Sequence, residues 1–190
     1  LVFLSLMNIP VIPLPQLFIA FLMAYTAYIL RRKRLIYQVT ALIILQYIIL
    51  GSIGLVGFFA YNFYSPLLTA FEKLSESLGK DFPSLVLTIF QNNIRITILG
   101  LIPFIGPLIA GYAIGNTAFL FGLIVYEKPP ALSLFLMPHT FLEFLSYGLS
   151  IAIATRIPIE GRKLLPYALI SIVVLFVGAA VESLLILMAG

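Results

Sequence analysis

Taken as apolar runs broken by polar residues, the chain divides into long greasy stretches with short polar or proline-rich breaks. Residues 16–30 form a first run that stops at Arg31, Arg32, Lys33 and Arg34. Residues 1–15, with Pro10, Pro13 and Pro15, read as an irregular or kinked lead-in. The first run reaches about 22 Å at 1.5 Å per residue, short for a crossing, so part of the lead-in is expected to join it. A second run covers 35–64 and ends in FFAYNFY, an aromatic cluster suited to the membrane interface. Further runs cover 84–102, 107–126, 131–155 and 166–189. The breaks between them are GLIPFIGP (100–107), EKPP (127–130) and IPIEGRKLLP (157–166). A bilayer crossing needs about 20 apolar residues. The pattern therefore predicts an all-α fold: a polytopic integral membrane helical bundle of about six transmembrane segments.

The period changes over 65–79. Leu67, Phe71, Leu74 and Leu78 recur at helical spacing, with Thr69, Glu72, Lys73, Ser75, Glu76 and Ser77 on the other side. Ser65 is placed to cap, Pro66 suits a first turn and Gly79 suits a stop. This predicts one short amphipathic helix lying on the membrane surface. GLIPFIGP, which carries no charge, reads either as a tight turn buried in protein or as the tip of a re-entrant pair.

Composition agrees with the pattern. The chain has 190 residues, 62% of them hydrophobic and 9% charged, against about 25% charged in a soluble domain. Mean hydropathy is +1.16. One membrane domain over 1–190 is expected, at a cell membrane and multi-pass, with the lipid bilayer as its first partner. The absence of cysteine excludes disulfides, thiol catalysis and cysteine-ligated metals. No charged n-region precedes the first apolar stretch, so no intact signal peptide is expected.

The net charge of +4 is clustered in Arg31, Arg32, Lys33 and Arg34 and in Arg156, Arg162 and Lys163. Such clusters set membrane orientation rather than bind nucleic acid. With full crossings throughout, both clusters fall on the cytoplasmic side, and both termini, the amphipathic helix and EKPP fall outside. A re-entrant third segment would separate the clusters.

The polar residues inside the runs are the candidate chemistry. Asn92, Asn93 and Arg95 lie in the third, Asn116 in the fourth, His139 and Glu143 in the fifth, and Glu182 in the sixth. Most are expected within about 6–8 Å of the midplane, from the rise per residue. A charge at that depth costs about 2.5–3.5 kcal/mol on insertion scales, so these groups should face one another. Pro138 is expected to kink the fifth helix, and His139 and Glu143, four residues apart, share one face. Three readings stay open. One is a structural network in which Arg95 pairs with a glutamate and asparagines bond across helices. Another is a cation or proton site, with His139 and Glu143 as candidate metal ligands for a bound cation. The weakest is a hydrolase centre, since neither H-E-x-x-H nor G-x-S-x-G is present and no catalytic residue is assigned. Gly111, Gly115, Ala118 and Gly122 make a small-residue stripe, and Gly51, Gly54 and Gly57 a shorter one, for internal packing or a homodimer interface.

IFQNNIRITILG (89–100), GNT (115–117) and MPHTFLEF (137–144), in that order, resemble the stage II sporulation protein M family. The resemblance covers a core of about 87–155. Its N-N-x-R, asparagine-glycine and P-H-G-x-x-E patterns fall on Asn92, Asn93, Arg95, Asn116, Pro138, His139 and Glu143. Thr117 and Thr140 stand where the family has glycine. The resemblance implies a multi-spanning membrane protein, and for the sporulation namesake a partner of a peptidoglycan-degrading machine. The expectation is a non-enzymatic membrane assembly or scaffold component that associates with itself or with other membrane proteins. The alternative is a transporter or channel whose cation or proton site uses Asn92, Asn93, Asn116, His139 and Glu143.

Overall fold

The computed structural model describes residues 13–66, 68 and 81–189. Residues 1–12 of the expected lead-in at 1–15 and most of the expected amphipathic helix at 65–79 lie outside the described residues, while 13–15 are already helical. All regular structure among the described residues is helical. The long helices are α1 (Pro13–Leu30), α2 (Leu35–Phe59), α3 (Phe82–Gly100), α4 (Gly106–Glu127), α5 (Pro138–Glu160) and α6 (Leu165–Ala189). Tighter 3-10 turns occupy Pro129–Leu136 and Gly161–Leu164. Among the described residues, three helical stretches are long and apolar enough to cross a membrane: Leu35–Phe59, Gly106–Glu127 and Pro138–Met188, the last running through α5 and α6. Pro15–Leu30 is apolar but shorter.

Contacts between helices fix their directions. On α4, Gly111 lies against Ala20 and Met23 and Gly115 against Gln16 and Ile19, so α4 runs antiparallel to α1. Gly54 lies against Ala118 and Phe121, and Gly57 against Phe119 and Gly122, so α4 runs parallel to α2. Bonds from Gln38 to Thr155 and from Gln46 to the Phe144 carbonyl make α5 antiparallel to α2. Bonds joining Asn93 to Glu143 and Thr97 to Ser146 make it parallel to α3. The turn after α1, the connection 101–105 and the turn after α5 therefore gather at one end, here the basic end.

The α4 stripe serves internal packing on two fronts. A methyl at Gly111 would come within 2.8 Å of Ala20 Cα, and one at Gly122 within 2.8 Å of Phe58 N. Real side chains essentially never approach so closely, so these glycines let α1 and α2 press onto α4. At the opposite end Tyr61 stacks on Tyr126 at 4.2 Å and Phe58 meets the same ring edge-on.

Three expectations are corrected. Pro138 does not kink a helix; it lies in the first turn of α5, after Met137 in extended backbone (φ −70°, ψ 145°). A residue before proline avoids the α region, and in the first turn the missing N–H has no bond to lose. The fifth segment thus begins at 138 rather than 131 and runs past Arg156 to Glu160. Helical backbone also covers 61–66, so it starts ahead of Ser65, after a turn at Ala60. Finally, the GLIPFIGP connection is not buried throughout: Gly100, Gly106 and Pro107 are buried at its base, while at its tip Phe104 is 64% and Ile105 51% exposed.

Candidate functional site

α5 is enclosed on every side from Ser146 to Arg156, and its polar side chains make a spine of bonds to other helices. At the basic end Arg156 is buried. Its Nε donates to Gln38 Oε1 at 2.7 Å, its Nη1 to Glu160 at 2.7 Å, and its Nη2 to the Lys33 carbonyl. Gln38 Nε2 in turn donates to the Ala27 carbonyl at 2.7 Å and to Thr155 Oγ1 at 2.9 Å. One guanidinium and one amide thus tie α1, α2 and α5 together. Further along, Gln46 donates to the Phe144 carbonyl at 3.0 Å, and Thr97 and Ser146 share a hydrogen bond at 3.1 Å.

The next level holds some of the residues singled out in the sequence. Asn93 Nδ2 donates to Glu143 Oε1 across α3 and α5. Glu182 of α6 lies close enough to interact electrostatically with Glu143, and Tyr147 is within electrostatic range of both carboxylates. Gly178, one turn before Glu182, makes that approach feasible: a methyl there would sit 3.3 Å from Leu142 Cβ and 3.8 Å from Glu143 Cγ. Asn93, Glu143 and Glu182 are therefore brought together. His139 is buried in the first turn of α5, one turn before Glu143, with no partner for Nδ1. It thus lies toward the far end of the bundle rather than mid-helix.

Arg95 does not join the carboxylates. Glu143 takes its bond from Asn93, and Arg95 Nη1 is buried without a partner. The physical reason is angular: residues two apart on a helix point about 200° apart, so Asn93 and Arg95 cannot both face α5. Asn116 is buried in α4 with an unpartnered Oδ1, and Asn92 sits half-buried beside Asn93. Among the described residues no group of three His, Cys, Asp or Glu side chains could hold a metal ion. Of the cations expected to set topology, Arg32, Lys33, Arg34, Arg162 and Lys163 are exposed and Arg31 lies 5.5 Å from the Tyr28 ring centre. Arg156 is instead the interior fastening just described.

Comparison with family models, with curated proteins and with solved structures gives no match. The site rests on its own geometry.

Sequence reasoning missed Gln38 and Gln46, and the signal was present. They are eight residues apart in an apolar run, which places them on one helix face. It also missed Asp81, whose side chain caps α3: Oδ2 accepts from Ser84 N at 3.2 Å and Oδ1 from Ser84 Oγ at 2.6 Å. These bonds hold the Asp81 carboxyl below its ordinary range. Asp followed two residues later by proline at a helix start is the missed signature.

Proposed function

We propose that this chain is a non-enzymatic, multi-pass scaffold component of a cell membrane, of the stage II sporulation protein M type. In this reading all six long helices cross, α1 to α6 alternating in direction, with the basic end cytoplasmic. The observation that carries it is the spine on α5, whose groups are bonded to α2 and α3 and, through Arg156, to the turn after α1. Such bonds contribute about 0.6 kcal/mol each in membrane bundles, up to about 1.7. Their use is to fix one helix arrangement and hence one outer surface for assembly with a second copy or other membrane proteins. Melting temperature and oligomer state of the purified chain in detergent test this. His139→Ala and Glu143→Ala are expected to lower the first or alter the second; both unchanged would contradict the scaffold reading.

The approach of Glu143 and Glu182 favours a second reading, a transporter or channel with a cation or proton site. Asn92, Asn93, Asn116 and His139 would complete that site. Cation flux into proteoliposomes that falls sharply in Glu143→Gln supports it. Flux that ignores this substitution removes it.

A further inference from the structure

The basic end carries a second, unassigned feature. Arg31, Arg32, Lys33 and Arg34 follow α1, while Arg162 and Lys163 lie in the 3-10 turn after α5. Far apart in sequence, the two loops are held together by Arg156, which reaches from α5 to the Lys33 carbonyl and to Gln38 of α2. Arg32, Lys33, Arg34, Arg162 and Lys163 are all exposed, and none is used by the interior network through its own charge. Among the described residues the one acidic side chain in these turns is Glu160, already paired with Arg156. The patch is therefore strongly and uniformly positive.

Its depth is marked independently. Tyr37, just after Arg34, is 61% exposed, and Tyr167, just after Lys163, is 42% exposed. Tyr28 carries Arg31 over its ring. Tyrosines at helix ends, with an apolar body and a polar tip, sit at headgroup level. Cations flanked in this way stand among lipid phosphates rather than in bulk water.

We propose that the two basic loops form one binding site for anionic lipid headgroups of the adjoining leaflet, with Arg156 as the positioning residue that makes them a single patch. The proposal rests on the helices crossing a membrane and not on the scaffold role. A juxtamembrane cation attracts an anionic leaflet, and the attraction decays within a Debye length. A patch built from two loops should thus bind more strongly than either loop alone and should weaken with salt.

The test uses the full chain in phosphatidylcholine bilayers containing a minority of phosphatidylglycerol. The lipid retained after mild detergent extraction is quantified by mass spectrometry. Phosphatidylglycerol is expected to be enriched several-fold over its bulk share at low salt, the enrichment largely vanishing at about 0.5 M salt, where screening is strong. Arg32→Gln with Arg34→Gln, and separately Arg162→Gln with Lys163→Gln, should each cut the enrichment by about twofold or more, and all four together should abolish it. Arg156→Lys keeps the charge but not the fork, so it should reduce enrichment while circular dichroism still shows a helical protein. Inorganic phosphate at matching concentration should neither displace the lipid nor raise the melting temperature. Equal retention of the two lipids by the wild type at low salt overturns the proposal whatever the variants do. Displacement by free phosphate overturns the lipid assignment. Full enrichment after neutralising either loop overturns the joint site.

Discussion

Two arginines show two ways of placing a guanidinium in an apolar bundle. Arg156 lies near the end of α5 and spends all three of its nitrogens on Gln38, Glu160 and the Lys33 carbonyl. Arg95 lies within α3 and has Nη1 buried with no partner. The first makes the basic end a closed network that fastens three helices. The second is one of several buried polar groups with an unpartnered atom, His139 Nδ1 and Asn116 Oδ1 among them. An unmade bond at a buried polar atom costs about 1–3 kcal/mol, so the two regions differ in what their polar atoms contribute. The basic end is built for rigidity. Away from it, Asn93 and Glu143 make one firm pair, and several buried atoms keep bonding capacity.

The contrast can be broken at several points. Arg156→Ala should have the largest effect, a loss of about 3–5 kcal/mol in detergent unfolding, because it strands Gln38 and the Lys33 carbonyl. A loss below about 1 kcal/mol would mean the network is ornamental. Glu143→Ala should cost about 1–3 kcal/mol by leaving the Asn93 amide without its acceptor. Glu143→Gln keeps a carbonyl oxygen and should stay within about 1 kcal/mol of the wild type. Arg95→Met removes a buried donor that has no acceptor and should be neutral or stabilising in the same assay. A loss beyond about 2 kcal/mol would show that Arg95 has a partner the geometry does not display.

The smallest effect belongs to the Asp81 cap. Its carboxyl titrates below its ordinary value of 3.8, so its contribution is complete above that pH and disappears as pH falls through the lower folded value. Amide exchange at Ser84 should accelerate selectively below that range, once the rate is corrected for pH. Uniform behaviour across α3 would contradict the cap.

Legibility in the sequence followed the physics of each feature. Long apolar runs announce helices by length, and so the cores of all six were readable. The glycines on α4 were readable as packing residues because small side chains have few other uses in a greasy helix. Boundaries were less so: proline at 138 is compatible with a kink and with a helix start, and only the extended Met137 decides between them. The pairing of Glu143 was not legible, since Asn93 and Arg95 were equally near in sequence and helix rotation chooses. The interior bonds of Arg156 were not legible because a cation at the end of an apolar run normally reaches solvent. Here α5 continues past it, and Gln38 waits inside.

The central claim is that the polar groups of α5 act by binding neighbouring helices. A double-mutant cycle on Asn93 and Glu143, each replaced by alanine, singly and together, tests it most directly through unfolding free energy in detergent. The account predicts a favourable coupling of about 0.6–1.7 kcal/mol between the two side chains. A coupling indistinguishable from zero would contradict it.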